Sequence, residues 1–101
     1  MIHLTVLYPQ PSDSAQFDAD YKIHLDLLHE KLGIPKNEQP YKLTRFLPGP
    51  TGKPLFYQMF SFPFESLEAL NAAMSTDEMQ EVAVDAGRIS TGGEPIIMVG
   101  Q

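Results

Sequence analysis

Apolar and mixed positions alternate along the first eight residues of the chain. The apolar positions are Ile2, Leu4, Val6 and Tyr8, and His3, Thr5 and Leu7 lie between them. A period of two is typical of a β-strand with one buried face. The proline- and serine-rich stretch from Pro9 to Ser14 ends this strand.

A helical period follows the first strand. Apolar residues recur at Phe17, Tyr21, Leu25, Leu28 and Leu32. Either Asp18 or Ser14 is predicted to cap the start of the helix, and Gly33 with Pro35 beyond it marks the end. His24 falls on the same face, so a titratable ring is expected on a helix side that is otherwise buried.

Two further strands are predicted over 41–47 and 55–62, joined by a loop rich in proline and glycine. The simplest arrangement is an antiparallel pair. Both alternating sets of the second of these strands are apolar or aromatic. One set is Leu55, Tyr57 and Met59, and the other is Phe56, Phe60 and Phe62.

The remaining sequence predicts a broken helical layer and a last strand. Residues 66–74 are rich in helix formers, and the capping-box sequence from Ser75 to Glu78 restarts a helix that runs to about Ala86. Residues 96–99 form a short apolar strand. The order βαββαβ predicts one α+β domain over 1–101 with the ferredoxin-like fold, in which both helices cover one face of a four-stranded antiparallel sheet.

The second face of that sheet should not be bare. Apolar residues on both sides of the strands indicate that something covers it, because a large exposed apolar patch is uncommon on a monomer. We predict a homodimer in which two copies pack sheet against sheet as a dimeric α/β barrel.

Composition excludes several kinds of site. The chain has no cysteine, so thiolate metal sites and iron–sulfur clusters are ruled out. A net charge of −6 argues against nucleic-acid binding. His24 and His29 are five residues apart, which is not metal-ligand spacing on a helix, so we expect no metal. No segment predicts a signal peptide, a membrane span or a bound cofactor, and we expect a cytoplasmic protein.

His24 is the candidate catalytic residue. An imidazole with a pKa near 6.5 takes up and returns protons without a cofactor. Asp20 lies one helical turn earlier, where its carboxylate could orient the ring and complete a pair. The alternative is a structural His24, hydrogen-bonded to a backbone carbonyl or to water, with Asp20 solvated.

Four other residues are candidates for contact with a ligand. Tyr21 and Leu28 share the helix face of His24. Arg45 could point inward to a ligand carboxylate or enolate, although pairing across the dimer or exposure at an edge strand is the more ordinary role. Tyr57 and Gln58 are expected on opposite sheet faces, and Tyr57 is either a polar tip in an apolar wall or a plain core residue.

The sequence resembles the EthD-like family of small dimeric ferredoxin-fold proteins along nearly its whole length. The segment from His24 to Gly33 is similar to the family's His-x-Pro-Leu-x-x-x-x-Leu-Gly, with Asp26 in place of the proline. The segment 64–73 is similar to its aromatic-x-Ser-x-Glu-Ala helix opening, and Glu94-Pro95 precedes the last strand. Only Tyr21 remains of the aromatic pair that usually precedes the histidine.

This resemblance implies a pocket between helices and sheet. Relatives in the wider superfamily include cofactor-free lactone isomerases, polyketide cyclases and quinone-forming monooxygenases. The chain is therefore interpreted as a cofactor-free enzyme acting on a small hydrophobic, cyclic or aromatic metabolite. The alternatives are a non-catalytic dimeric module that binds or carries such a metabolite or supports a partner oxygenase, and a purely structural dimer whose pocket is filled by side chains.

Overall fold

The computed structural model describes all residues from Met1 to Gln101. It contains four strands and three helices in the order βαββααβ. Their bounds are β1 Ile2–Pro9, α1 Ser14–Leu32, β2 Lys42–Arg45, β3 Phe56–Phe64, α2 Leu67–Met74, α3 Asp77–Ile89 and β4 Ile96–Gly100. No helix is both long enough and apolar enough to cross a membrane.

The strands form one antiparallel sheet in the order β2-β3-β1-β4. The central strand β1 buries Leu4, Val6 and Tyr8 under α1 and α3, as its alternation predicts. The ferredoxin-like topology is therefore confirmed, with the second helical segment divided into α2 and α3.

Helix α1 begins one residue earlier than the predicted caps allow. The side chain of Asp13 accepts a hydrogen bond from the Gln16 backbone N–H, so Asp13 is the N-cap, and the assignment to Asp18 or Ser14 is wrong. Gly33 ends the helix in the left-handed region at φ 66°, where glycine carries no Cβ penalty. The buried side of α1 comprises Phe17, Tyr21, His24 and Leu28.

The break between α2 and α3 follows from two separate caps. Ser66 caps α2 through the Ala69 N–H, and Thr76 caps α3 through the Met79 N–H. The restart lies one residue beyond the predicted Ser75. Helix α3 carries most of the packing, since it buries Met79, Val82, Ala86 and Ile89, whereas α2 buries only Leu70.

A β-bulge changes which face two aromatic residues occupy. Tyr8 opposes Gln58 and Pro9 opposes Phe56, so Tyr57 is the extra residue on β3. Tyr57 turns towards α1, where its ring packs edge-on against Phe17. The expectation that Tyr57 and Gln58 point to opposite faces is therefore wrong.

The sheet surface turned away from the helices is here called the outer face. It carries a row of apolar residues drawn from three neighbouring strands. By the strand register these are Leu7, Phe56, Met59, Ile96 and Met98. Met98 is 46% exposed and no element of the same chain covers this row.

Candidate active site

His24 lies buried between α1 and α3, with only 5% of its surface exposed. Its Nδ1 is 2.8 Å from Oδ2 of Asp85 on α3. The other oxygen of that carboxylate accepts a hydrogen bond from Nε of Arg88, also at 2.8 Å. Two adjacent helices thus hold an imidazole–carboxylate pair inside the fold.

Asp20 is not the partner of His24. It accepts a hydrogen bond from Nε2 of Gln16 at 3.0 Å, on the more exposed side of α1. The predicted pairing is corrected because the His24 ring points into the interface with α3, where Asp85 supplies the nearer carboxylate. Spacing within one helix cannot reveal a carboxylate presented by another.

Burial and the neighbouring charges set the protonation of this pair. Desolvation lowers the pKa of His24 below 6.5, and the hydrogen bond to Asp85 offsets only part of that effect. Burial acts to raise the pKa of Asp85, but hydrogen bonds from His24 and Arg88 outweigh it and hold that pKa below its usual value. At neutral pH the ring is therefore uncharged, with Nδ1–H donated to the Asp85 carboxylate.

The second ring nitrogen, Nε2, makes no hydrogen bond within the chain. His24 lines a small cavity between helices and sheet, together with Tyr8 and Leu28. The rest of the lining is apolar and includes Met74 and Met79. A neutral imidazole at the edge of an apolar cavity has a lone pair on Nε2 that can accept a proton.

This cavity has a volume of about 50 Å³. Typical small-molecule sites have volumes of roughly 300–1,000 Å³. Side chains therefore fill most of the space in the single chain, and what remains is no larger than the space of a few water molecules. Two of the lining residues are methionines, whose unbranched side chains move easily.

Two of the other predicted site residues, Arg45 and Tyr57, lie apart from the cavity. Arg45 donates to Asp18 at 2.7 Å and to Oε1 of Gln58 at 2.8 Å, and its guanidinium stacks 4.0 Å above the Tyr57 ring. The Tyr57 hydroxyl donates to the same Asp18 carboxylate. Arg45 therefore pairs within the chain and is exposed on the edge strand β2, which is one of the two ordinary roles expected for it.

The Tyr21 ring packs between the rings of Tyr8 and His24. Its ring lies 5.5 Å from Tyr8 and 5.6 Å from His24, centre to centre. Its hydroxyl is buried without a hydrogen-bond partner. Leu28 and His24 are thus the predicted residues on the cavity wall, with Tyr21 beside it.

The sequence did not identify Tyr8, Gln58 or Asp85 as residues of the site. The signal for Asp85 is its place in α3, three residues after the buried Val82 and directly before the buried Ala86. A carboxylate at that position lies beside the packed side of the helix. Tyr8 continues the buried alternation of β1, so its hydroxyl had to enter the interior.

A larger, open groove of about 870 Å³ lies along the outer side of α1, around His29 and Tyr41. His29 Nε2 accepts from the Tyr41 hydroxyl at 2.6 Å, and Nδ1 faces the carbonyl of Ile34 at 3.3 Å. Both ring nitrogens are occupied, so His29 fastens the end of α1 to the loop that follows it. No three His, Asp or Glu side chains are grouped to hold a metal.

Comparison with known proteins supplies the family. An ethyl tert-butyl ether d (EthD) family protein from Bacillus halodurans is 31% identical to this chain, with a TM-score of 0.84, and the alignment covers 100% of this chain and 97% of that one. The chain belongs to the EthD family. An EthD-like protein from Ralstonia eutropha is 24% identical over 99% of this chain and 89% of its own, with a TM-score of 0.67.

Two more distant structures share only the fold of this EthD-family chain. One is described as a dimeric ferredoxin-like protein of unknown function from Jannaschia, with 10% identity, a TM-score of 0.69, and coverage of 100% of this chain and 99% of that one. The other is a putative antibiotic biosynthesis monooxygenase from Caulobacter crescentus, with 24% identity, a TM-score of 0.51, and coverage of 98% and 85%. No family model and no curated protein matches the sequence.

Proposed function

We propose that this EthD-family protein is a cofactor-free enzyme that moves a proton on a small hydrophobic, cyclic or aromatic metabolite. The observation that carries the proposal is the arrangement of His24. Its Nδ1 is 2.8 Å from the Asp85 carboxylate, and its Nε2 has no partner in the chain. The ring lines a cavity whose other walls are apolar.

The chemistry follows from that arrangement. Nε2 takes a proton from the ligand and becomes an imidazolium, and the Asp85 carboxylate stabilises the positive charge through Nδ1–H. Return of the proton to a different ligand atom completes an isomerisation, and the same step opens a cyclisation or an oxygenation. Arg88 keeps Asp85 ionised throughout.

A ring-sized ligand requires the cavity to widen. Helix α2 is the element best placed to move, since it buries only Leu70 and its last residue, Met74, lines the cavity. Displacement of the Met74 and Met79 side chains enlarges the space without disturbing the His24–Asp85 pair. Ligand entry is therefore proposed to occur beside α2.

The working form is proposed to be a homodimer that packs outer face against outer face. The apolar row on the outer face supports this assembly, because an isologous contact covers the same strands on both copies. The distant structure from Jannaschia is described as dimeric, which agrees with this use of the fold.

The second candidate function is a non-catalytic module that binds or carries such a metabolite, or supports a partner oxygenase. The small and almost entirely apolar cavity favours it, because retention of a ligand needs no proton acceptor. In an enzyme His24 is needed to convert a bound ligand, whereas in a carrier the ligand is bound and never converted.

A thermal-shift screen separates these possibilities. Wild type, His24→Asn and the surface control Asp20→Asn are each heated with lactones, quinones, phenols and cyclic ketones. Stabilising compounds that wild type also converts, and that His24→Asn binds without converting, support the enzyme. Binding without conversion in every form supports the carrier, and stabilisation of no form by any compound refutes both.

A further inference from the structure

Beside His24 the interior holds more hydrogen-bond donors than acceptors. Tyr8 and Tyr21 are 2% and 5% exposed, and Gln58 is 5% exposed. The Tyr21 hydroxyl has no partner at hydrogen-bonding geometry, although the Tyr8 hydroxyl and the Gln58 amide are near enough to act on its pKa. Two facing hydroxyls form only one hydrogen bond, so one hydroxyl hydrogen is left without an acceptor.

Arg45 decides which end of the Gln58 amide faces inward. The guanidinium donates from Nε at 3.3 Å and from Nη2 at 2.8 Å to Oε1 of Gln58. Both hydrogen bonds require the carbonyl oxygen on the Arg45 side, so the amide nitrogen is turned towards the interior. The Gln58 amide can therefore donate to Tyr21 but cannot accept from it.

The order of donation then depends on which hydroxyl hydrogen can remain without an acceptor in the chain. The Tyr21 oxygen has two lone pairs and could accept from both Gln58 and Tyr8, but its own hydrogen would then be fully buried without an acceptor. Donation from Tyr21 to Tyr8 avoids this cost. The hydrogen of Tyr8 is then the one without an acceptor. Tyr8 is the member of this group that lines the cavity shared with His24.

We propose that the Tyr8 hydroxyl is the hydrogen-bond donor to an oxygen atom of the ligand, at the inner end of a donor chain that runs from Arg45 through Gln58 and Tyr21. This inference rests on the proposed function and narrows its substrate class. The ligand is a cyclic compound whose ring carries a carbonyl, enol or phenol oxygen. Tyr21 and Gln58 are positioning residues, and Tyr8 touches the ligand.

The chain suits this role because both phenols keep their protons. Burial raises the pKa of Tyr8 and the pKa of Tyr21 well above the ordinary tyrosine value. A buried donor left unpaired is unfavourable, and an oxygen from the ligand relieves that cost. Consecutive hydrogen bonds in one direction also strengthen the last donor.

Tyr8 and His24, on the same cavity, would act together in a proton transfer on the ligand. His24 Nε2 removes a proton from the carbon next to a carbonyl, the electrons of that C–H bond form the C=C bond of an enolate, and the carbonyl π electrons move to oxygen. Tyr8 donates to this oxygen, where the charge develops. In a ligand with a β,γ double bond the enolate is conjugated, and return of the proton to its γ carbon regenerates the carbonyl, so no oxidant or reductant is needed.

The test compares phenol with toluene, which have nearly the same shape and differ in the oxygen. Phenol is a stable enol and can donate to His24 while it accepts from Tyr8. Dissociation constants of both compounds are measured by NMR titration for wild type, Tyr8→Phe, Tyr21→Phe and the control Tyr41→Phe, whose hydroxyl bonds His29 outside this group.

We expect the ratio of the toluene constant to the phenol constant to fall about two- to tenfold in Tyr8→Phe, with toluene binding unchanged. Tyr21→Phe should lower the ratio in the same direction, and Tyr41→Phe should leave it as in wild type. An unchanged ratio in Tyr8→Phe overturns the Tyr8 assignment and leaves the His24 proposal standing. Failure of both compounds to bind wild type at millimolar concentration overturns the two together.

Discussion

Replacement of Asp85 by asparagine tests the pairing on which the proposed chemistry depends. The Asp85 carboxylate accepts from His24 Nδ1 and from Arg88 Nε, each at 2.8 Å, and its side chain is only 17% exposed. An amide has one acceptor oxygen, so the asparagine side chain cannot serve both donors as the two carboxylate oxygens do. The substitution also removes the negative charge from beside a buried imidazole.

The size of the effect follows from the two hydrogen bonds. A bond to a charged acceptor contributes about 1.5–3 kcal/mol and a neutral one about 0.5–1.5 kcal/mol, so the bond to His24 weakens by about 1–1.5 kcal/mol. The pair with Arg88 is exposed to solvent and adds little to this loss. A domain of this size loses about 4–8 °C in Tm per kcal/mol, so Tm should fall by roughly 4–12 °C.

The assay is urea unfolding of Asp85→Asn beside Asp20→Asn, at pH 7. The one hydrogen bond of the Asp20 side chain is to Gln16 at the surface, so its replacement should change the free energy of unfolding by less than about 0.5 kcal/mol. The His24 pKa, followed by NMR, should fall further in Asp85→Asn because the carboxylate that raises it is gone. A larger loss of stability in Asp20→Asn, or a His24 pKa unchanged in Asp85→Asn, would refute the pairing.

Three further results are expected. The folded-state pKa of His24 lies below 6.5, so the unfolded chain binds a proton at a higher pH than the folded chain does. The free energy of unfolding should therefore fall as pH drops from about 6.5 to that lower pKa. In a pH series of urea melts, His24→Asn should lose this slope. In the proposed donor chain Tyr21 accepts from Gln58 and donates to Tyr8, so Tyr21→Phe should lower the free energy of unfolding by about 1–3 kcal/mol; a value equal to or above that of wild type would show that the buried hydroxyl has no partner. Met98→Glu puts a charge on the outer face and should give a monomer of 11.3 kDa by sedimentation, whereas an assembly unchanged from wild type contradicts the proposed dimer contact.

Local patterns in the sequence were enough to predict the fold. Alternation in β1, the helical period of α1 and the left-handed Gly33 are properties of neighbouring residues, and each appears where it was expected. The β-bulge at Tyr57 was not predictable in the same way, because it depends on how β1 and β3 align across the sheet. One extra residue there moved an aromatic side chain to the other face.

Only part of the candidate site could be predicted from the sequence. His24 was identified because it interrupts an apolar helix face, which one helix is enough to show. Its partner was missed because Asp85 is 61 residues away and meets His24 only through the packing of α1 against α3. The inward orientation of the Gln58 amide likewise depends on a hydrogen bond from Arg45. Arg45 lies on a different strand, so the spacing of residues along the sequence does not predict this contact.

The most direct test of the central claim is deuterium incorporation into cyclic ketones and lactones in D₂O, followed by ¹H NMR with wild type and His24→Asn. If His24 takes and returns a proton, wild type should exchange the hydrogen next to the carbonyl of at least one ligand found by thermal shift, and His24→Asn should bind that ligand without exchanging it. Exchange at equal rates in the two proteins, or bound ligands that never exchange in wild type, contradicts the account.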